Sequence, residues 1–480
     1  MQILKDISLK QPRKGKTHKV HVTPHKALPQ CGVRYCAQIL ITSLFVAVLC
    51  SGCGIYGKYK RPTHVTAEHL YGIGVTESSD SANLASLSWR EIFTDPNLQV
   101  LIDSGLARNT DLKSLDFTVK QAEAGYKAAK LAFVPGFTFV PQGGYNISDN
   151  APGWSYAIPI AMDWEIDLFG KQLNQKRKAG AALLMTQDVR EAAQTQIVAT
   201  IASLYFQLLA LDGQLAVTDS AANKWQETVR VMRLMKDAGM MNEVSVSQTE
   251  ATCYAVEAGV VDIQKAIRSV ENALCLILKQ TPHPIPRGSI GIQVLPQELS
   301  VGVSAQLLAN RPDVRQAEHN LEQYFYGVQH ARSMFYPSIR IDATGLYAGA
   351  FIPSLIGQLA QPIFAHGGLK ANLDIAKAQY EQALLAFEQK LLQAGNEVNE
   401  ALVQCQTART KHEKHIQQVN ALQQAVNYTQ LTMTNGHTTY LDIIYAQQSL
   451  LDAQTAQIND WLEEAQGVVR LYQALGGGVR

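Results

Sequence analysis

The chain has 480 residues, of which 46% are hydrophobic, 17% charged and 8% aromatic. Its 33 glycines show no three-residue period, which excludes collagen, and no run of 18 uncharged apolar residues indicates a bundle of membrane-spanning helices. Residues 1–53 hold eight Lys or Arg and one acid, so residues 54–480 carry 34 basic and 40 acidic residues. The resulting net charge of −6 argues against a nucleic-acid binder.

The first fifty residues are typical of an export signal. Residues 39–50, ILITSLFVAVLC, are apolar, follow a basic stretch and are too few to span a bilayer. The following residues, Ser51-Gly52-Cys53, resemble the end of a bacterial lipobox, which predicts a covalent lipid on Cys53. Plain signal cleavage is the alternative. Residues 1–32 are interpreted as preceding the true start at Val33, although their basic character also suits a nucleic-acid arm.

Two long stretches without proline, residues 160–281 and 363–480, predict long helices. Proline disrupts helix interiors, and both stretches are rich in Ala, Gln, Leu and Glu. A helix of 65 residues would be roughly 100 Å long, which favours a rod or a tunnel over a compact domain. Apolar residues recur at steps of three, four and seven, as in coiled coils, at Ile197, Ile201, Leu204, Leu208, Leu211 and Leu215, and at Leu441, Ile444, Leu451, Ile458 and Leu462.

The cysteines outside the leader predict no disulfide framework. Cys253, Cys275 and Cys405 have no CxxC spacing, and all three fall in the predicted helices. We interpret them as buried thiols.

The chain also repeats itself, which predicts a duplicated unit. At an offset of 202 residues, without a gap, six residues match their counterparts: Leu106 and Leu308, Asp111 and Asp313, Gln121 and Gln323, Lys130 and Arg332, Phe133 and Phe335, and Pro135 and Pro337. Phe169 matches Phe364 at an offset of 195, and Gly239 matches Gly436 at 197. Each half therefore reads as helix, strands, long helix, glycine turn and helix.

Alternating patterns between these helices predict strands at 137–148, 154–164 and 338–347, with a weaker fourth strand near 352–361. Strands of about ten residues with aromatic ends are typical of transmembrane barrels. A half-buried soluble sheet is the alternative. Because open edges are not tolerated in lipid, four transmembrane strands require several chains to share one barrel.

These features are similar to those of the TolC/OprM-like outer membrane efflux proteins, in their lipoprotein branch of the NodT type, which serve RND pumps. The resemblance runs from about Cys53 to Gly478. Its motifs are Tyr59-Lys60-Arg61-Pro62, Trp89-Arg90-Glu91-Ile92-Phe93 with Asp95-Pro96, residues 164–170 (WEIDLFG), residues 307–314 (LLANRPDV), Gln361-Pro362-Ile363-Phe364, Tyr440-Leu441-Asp442-Ile443-Ile444 and Ala474-Leu475-Gly476-Gly477-Gly478.

The resemblance implies a mainly α fold with a transmembrane β-barrel. Three chains each contribute four strands to a barrel of twelve, and the long coiled-coil helices form a periplasmic tunnel. The implied partners are a periplasmic membrane-fusion adaptor and an inner-membrane transporter of the RND, ABC or MFS type. The implied location is the outer membrane, with the lipid on Cys53 as anchor and no other cofactor.

Site residues follow from the same resemblance. The gate at the closed end of the tunnel is assigned to Leu441, Asp442 and Tyr445, held by charge or by apolar and aromatic contacts. For Asp442 the alternative is an acid that stabilises the first helical turn. The adaptor-docking tips are assigned to Gly239, Met240, Met241, Gly436, His437 and Thr438.

Other conspicuous residues have simpler interpretations. Arg340 and Asp342 are expected to face the lumen, where they tune permeation or pair with neighbours. Arg311-Pro312-Asp313 is interpreted as a helix start, and Trp89 and Phe93 as packing residues of an equatorial region.

The predicted organisation has seven segments: a leader 1–52, a lipidated and equatorial segment 53–135, a first β-hairpin 136–165, a first tunnel pair with linker 166–300, second-repeat helices 301–337, a second β-hairpin 338–363 and a second tunnel pair 364–480.

The sequence contains no nucleotide-binding, metalloprotease, serine-hydrolase or metal-spacing motif, so no enzymatic or metal site is predicted. Three functions remain: the exit duct of a tripartite efflux pump for small molecules, the duct of a type I protein secretion system, and a coiled-coil structural lipoprotein without a pore. The motifs favour the first, and the alternating strands argue against the third.

Overall fold

The computed structural model describes residues 57–62, 87–147, 153–296, 310–347, 351–362, 366–434 and 440–477. Cys53 and the leader lie outside these residues. The described elements are α1 (Trp89–Ile92), α2 (Pro96–Arg108), α3 (Thr110–Leu131), β1 (Gly136–Phe139), β2 (Gln142–Asn146), β3 (Gly153–Ile166), α4 (Lys171–Asp237), α5 (Glu243–Ile277), α6 (Pro312–Ser333), β4 (Ser338–Tyr347), β5 (Phe351–Ala360), α7 (Gly368–Thr434) and α8 (Tyr440–Ala474).

The internal repeat is visible in the lengths of the helices. Helices α3 and α6 both have 22 residues, α4 and α7 both have 67, and α5 and α8 both have 35. The offset between α3 and α6 is 202 residues, as the sequence match predicts, and the later pairs are offset by 197. At about 1.5 Å per residue, α4 and α7 are each roughly 100 Å long.

The main hydrophobic core lies where α4 and α8 meet the N-terminal helices. Its largest fully buried side chains include Tyr205 and Tyr472. Phe206 packs edge-on against Trp461, with ring centroids 6.0 Å apart. Helix α4 is the one described helix apolar and long enough to cross a membrane, but half of that apolar window is buried, as expected for a core helix.

The equatorial packing residues behave as the sequence predicts. Trp89 and Phe93 are buried in the core, and Phe93 stacks edge-on against Tyr472 at 5.4 Å. Asp95 caps α2 by accepting from the Asn97 amide at 2.8 Å. Its other oxygen accepts from the Tyr205 hydroxyl and from the Gln293 amide, both at 2.6 Å. These bonds fasten the linker after α5 to the helical core.

The strands form one antiparallel arrangement in which β3 is central. The order is β1-β3-β4-β5, and β2 also pairs with β3. The first predicted strand is divided at Val140-Pro141 because proline has no N–H to donate. Its two parts keep the same register on β3, since Phe139 pairs with Ile160 and Gln142 pairs with Ala157.

The three cysteines in the described helices, Cys253, Cys275 and Cys405, are buried free thiols, as predicted. Burial raises the pKa of the Cys405 thiol to about 11, so it is a poor nucleophile at neutral pH.

Candidate functional site

The sheet has one apolar and one polar face, and the register decides which residue lies on which. Paired residues share a face, so the alternation of β3 continues into β1, β2 and β4, whereas β5 also places the exposed Ile356 on the polar face, opposite Asp342. The apolar face carries Phe137, Phe139, Tyr145, Trp154, Tyr156, Ile160, Met162, Trp164, Ile339, Ile341, Leu355 and Leu359. Most of these side chains are exposed in the single chain. A continuous exposed apolar surface of this size marks an interaction with lipid or with protein.

Aromatic residues concentrate at both ends of the apolar face. At the β2–β3 hairpin end, Tyr145 and Trp154 stack edge-on with ring centroids 5.4 Å apart. At the helical end, the Trp164 indole N–H donates to the Phe133 carbonyl at 3.0 Å. Trp164 follows Trp154 by ten residues along β3, which is roughly 33 Å of extended strand. In a strand tilted by about 40°, this length rises about 25 Å, which is the height of the apolar band in transmembrane barrels in general.

The polar face brings together charges that are distant in sequence. Arg340 pairs in register with Glu165, and Asp342 pairs with Asp163. The Lys171 ammonium lies 2.7 Å from Glu165. Arg340 and Asp342 are expected from the sequence to face the lumen, whereas Asp163 and Glu165 are not predicted as site residues. Asp163 and Glu165 each lie between apolar residues of β3, which the sequence shows. Their partners in β4 are known only from the register of the two strands.

The first tip is a Schellman turn followed directly by a capped helix. Gly239 has φ +75°, its amide donates to the Lys236 carbonyl at 2.8 Å, and the next amide donates to the Met235 carbonyl at 2.9 Å. The Asn242 side chain then caps α5 by accepting from the Ser245 amide at 3.0 Å. The left-handed backbone conformation therefore favours glycine at position 239.

The tip exposes its side chains unevenly. Met240 is fully accessible at 71% exposure, whereas Met241 is half-buried. An ion pair between Lys236 and Glu243, 2.6 Å long, spans the turn. Gly436, His437 and Thr438 of the second tip lie outside the described residues.

The predicted gate residues occupy the first turns of α8. Leu441, Asp442 and Tyr445 are exposed, whereas Ile443 is buried and Ile444 packs on a second apolar cluster around Trp225. The spacing of buried and exposed residues follows the period of an α-helix. One face of α8 therefore packs against the rest of the chain, and the other face points outward. Asp442 lies in the first turn, where an acid also stabilises the helix dipole.

Arg311-Pro312-Asp313 starts α6, as predicted, and the buried Arg311 side chain also forms a network of ion pairs that the sequence did not predict. The Arg311 guanidinium donates to both oxygens of Asp313 at 2.9 and 2.6 Å, to Glu397 at 2.6 Å and to the Ala474 carbonyl at 3.0 Å. Lys390 also pairs with Asp313 at 2.7 Å. These bonds tie the start of α6 to α7 and to the end of α8. Burial raises the pKa of Asp313, but the two cations outweigh it and bring it down to about 2.

Across the described residues, no group of three His, Cys, Asp or Glu side chains has an arrangement that holds a metal ion.

The two halves of the chain match the family model for the outer membrane efflux protein at residues 101–278 and 303–477, which together make up most of the chain. The chain therefore belongs to the outer membrane efflux protein family, as its motifs predict. Its mainly helical fold with a few strands is the fold of these channels.

Relatives of this chain share nearly its full length. It is 26% identical over 457 residues to the solvent efflux pump outer membrane protein SrpC of Pseudomonas putida, covering 91% of this chain and 97% of that protein. It is 25% identical over 475 residues to the cation efflux system protein CusC of Escherichia coli (strain K12), covering 95% and 100%. The open-state MtrE outer membrane channel of Neisseria gonorrhoeae superposes with a TM-score of 0.80 at 25% identity, covering 88% and 98%. These relatives are pump components and channels, not enzymes.

Proposed function

We propose that this chain is the exit duct of a tripartite efflux pump that carries small molecules out through the outer membrane. The observation that carries the proposal is the sheet with one exposed apolar face between two aromatic ends. Such a face suits lipid, and the opposite polar face suits a water-filled lumen. Membership of the efflux family gives the same function.

Barrel closure requires more than one copy. Within the described sheet, the β1/β2 strand and β5 are edges, each paired on one side only. Lipid does not tolerate open edges. The repeat supplies the missing pairing, because β3 is the last strand of the first half and pairs with β4, the first strand of the second half. By the same rule, β5 pairs with β1 of the next copy. Three copies then give twelve strands, in agreement with the family resemblance.

The helices supply the tunnel and its gate. Three copies of Asp442 around a narrow axis form a negative constriction that favours cations, and Leu441 with Tyr445 adds an apolar and aromatic plug. The exposure of these side chains in the single chain supports this placement. Arg340 and Asp342, together with Asp163 and Glu165, line the lumen of the barrel at its helical end.

Two features indicate the partners: the exposed turns at the tips, and a sequence without a nucleotide-binding motif that could supply energy. Met240 and Met241, with Gly239 and the second tip at Gly436, His437 and Thr438, dock a periplasmic adaptor. An inner-membrane transporter supplies the energy, since the sequence contains no nucleotide-binding motif. The lipid on Cys53 anchors each chain in the outer membrane.

The transporter, rather than the duct, selects the cargo. The relatives at 26% and 25% identity are named for solvent efflux and for cation efflux, which are unlike substrates. Because this chain is about equally similar to both relatives, we infer that the duct is a general passage for small molecules.

In-cell photocrosslinking from Met240 tests this function. A photoreactive residue there is expected to capture an adaptor, and mass spectrometry of the larger complexes is expected to find a proton-driven transporter. The matched control places the probe at Trp154, which is exposed on the apolar face of the sheet and is expected to capture no periplasmic protein. An ABC transporter in the Met240 complex would indicate peptide or protein export instead. Absence of any periplasmic partner would contradict the proposal.

A further inference from the structure

A groove of about 220 Å³ lies between α4 and α8, close to the gate residues. On one side of it, the Gln214 side chain of α4 donates to Asn459 of α8 at 2.8 Å. On the other side, Ile444 of α8 packs on the apolar cluster around Trp225. The groove is therefore a gap between two points at which the same helices are in contact.

Small residues on α4 account for this gap. Ala216, Ser220 and Ala221 line the groove from α4, and Leu450 and Leu451 line it from α8. Short side chains at these positions leave a volume that close packing normally removes. Since an apolar cavity of about 150 Å³ holds benzene, the groove is large enough for one aromatic ring with small substituents.

The walls of the groove are mostly apolar. The larger apolar side chains that line it come from α4, α7 and α8, and they are Val217, Trp225, Val426, Leu450 and Leu451. An apolar lining with a few polar groups is typical of sites that bind small molecules.

Gln447 provides a hydrogen-bond acceptor that has no donor. The residue lines the groove and is 8% exposed, and its Oε1 atom has no hydrogen-bond partner within the described residues. The repeat does not impose this arrangement, because the equivalent Glu250 accepts from Arg233 at 2.8 Å. Leaving a buried acceptor unpaired is unfavourable, so a ligand that donates a hydrogen bond to Gln447 would be stabilised there.

Lys224 gives the groove a positive charge. It is exposed, and it is the one charged side chain among the described residues that line the groove. Further along α4, Lys236 pairs with Glu243 at 2.6 Å, whereas no described carboxylate pairs with Lys224. The charge of the groove therefore favours an anionic ligand.

We propose that this groove binds a small aromatic acid that also carries a hydroxyl group. The ring packs against the apolar walls between α4 and α8. The carboxylate pairs with the Lys224 ammonium, and the hydroxyl donates to Oε1 of Gln447. Each part of the ligand thus matches one part of the lining: apolar, positively charged or hydrogen-bond accepting.

The position of the groove gives the ligand an effect on the gate. Gln447 follows Tyr445 by two residues, and Leu441 and Asp442 lie in the first turn of the same helix. A ligand that contacts both α4 and α8 favours the arrangement in which the two helices lie together, and so reduces movement of α8. This effect rests on the proposed function, because it requires the gate to lie at the start of α8.

Calorimetric titration of the assembled full-length protein in detergent tests binding, with 4-hydroxybenzoate as the probe. The expected Kd is below about 1 mM, as for other efficient ligands of this size. Benzoate lacks the hydroxyl and 4-hydroxybenzamide lacks the charge, so each is expected to bind about tenfold more weakly. Absence of binding by 4-hydroxybenzoate, or equal binding of the three compounds, would overturn the site.

Two variants test the assigned contacts. Lys224→Gln is expected to weaken binding of 4-hydroxybenzoate about tenfold. Its control is Lys265→Gln, which removes an exposed lysine of α5 outside the groove and is expected to change nothing. Gln447→Met keeps the size of the side chain and removes the acceptor, so it is expected to bind 4-hydroxybenzoate and benzoate equally. Binding by both groove variants as in wild type would overturn the assignment.

Single-channel recording in planar bilayers tests the effect on the gate. Added 4-hydroxybenzoate is expected to lower the opening frequency of wild type but not that of Lys224→Gln. Unchanged opening despite binding would overturn the link to the gate, whereas adaptor capture from Met240 would show that the duct function still stands.

A photoreactive residue at Ser220, on the exposed rim of the groove, tests for a different occupant. It is expected to capture no protein in cells. Capture of a periplasmic protein from this position would show that the groove is a protein-docking surface and would overturn the small-molecule site.

Discussion

Gly476 packs its backbone directly against the backbone of Arg311. A Cβ atom at position 476 would lie 2.8 Å from the Arg311 Cα atom and 2.5 Å from the Asn310 carbonyl oxygen. Gly476 and Arg311 are 165 positions apart in the chain, and the Arg311 side chain also bonds to the end of α8 through the Ala474 carbonyl. Their contact explains why the second half needs a glycine here.

Gly476→Ala is therefore expected to destabilise the chain by more than about 2 kcal/mol, because it adds both a positive-φ residue and a clash with backbone atoms. Gly239→Ala is the matched control. Gly239 has nearly the same φ, +75° against +76°, but nothing lies within 4 Å of its added Cβ. It is expected to cost about 1 kcal/mol. Equal losses in thermal unfolding midpoint would show that the packing contact contributes nothing.

Lys279 occupies the position in the first half that Gly476 occupies in the second. Its φ is +55°, it is exposed, and the Gln280 amide donates to the Cys275 carbonyl at 2.8 Å as in a Schellman turn. A left-handed conformation costs a non-glycine residue about 1–2 kcal/mol, and a glycine at this position would relieve that strain. Glycine also loses more chain entropy on folding, which offsets about 0.5–1 kcal/mol of the relief. Lys279→Gly is expected to stabilise the chain by about 0.5–1 kcal/mol, whereas Lys279→Ala should not. A loss of stability in the glycine variant would contradict this assignment.

The free energy of unfolding should fall at acid pH because of Asp313. Its pKa of about 2 in the folded chain is below the ordinary 3.8, so the ionised form stabilises the fold above about pH 4, and this contribution disappears as the pH falls towards 2. The shift corresponds to about 2 kcal/mol. Asp313→Asn should lower stability by about that amount at pH 7, and its difference from wild type should shrink steadily with acidification. The equivalent exposed residue gives the control, since Asp111→Asn removes only a dipole interaction of under about 1 kcal/mol.

Neighbouring positions in β3 should respond oppositely to a charge. Ile160 lies on the exposed apolar face, and Ala161 lies on the polar face. Ile160→Arg is expected to block barrel insertion, since a basic residue at mid-membrane costs about 2–4 kcal/mol. Ala161→Arg should insert normally and alter conductance by placing a charge in the lumen. Heat-stable oligomer in outer-membrane fractions measures insertion, and equal insertion of the two variants would contradict the assignment of the faces.

The gate residues give separable effects in planar bilayers. Asp442→Asn is expected to reduce cation selectivity, because it removes the ring of charge. Leu441→Ala is expected to raise basal conductance by opening the apolar plug. Asp103→Asn, an exposed acid on α2, serves as the control and should change neither property. Single-channel records that are unchanged in both gate variants would place the constriction elsewhere.

The helices, the strands and the duplication of this chain follow from local patterns in its sequence. Missing proline and heptad spacing predicted helices that are 67 residues long in the structure, and matched offsets of 202 and 197 predicted two halves. Alternation predicted three strand segments within two residues of those observed, apart from the break at Pro141, and the poorly alternating fourth segment lies within one residue of β5. These features can be predicted from the sequence because they depend on residues that are close together in the chain. Helix and strand periods, and the exclusion of proline, are all local in this sense.

Contacts between distant residues depend on how the elements pack and cannot be predicted from local patterns. The register across β3 and β4 put Asp163 beside Asp342 and Glu165 beside Arg340, and no local pattern specifies that pairing. The contact of Gly476 with Arg311 likewise depends on how α6 and α8 pack together. Equivalent positions of the two halves also differ in burial, since Asp188 is buried and its equivalent Leu385 is exposed. Whether a residue is buried depends on which helices pack over it. The heptad pattern of a helix is the same in both cases.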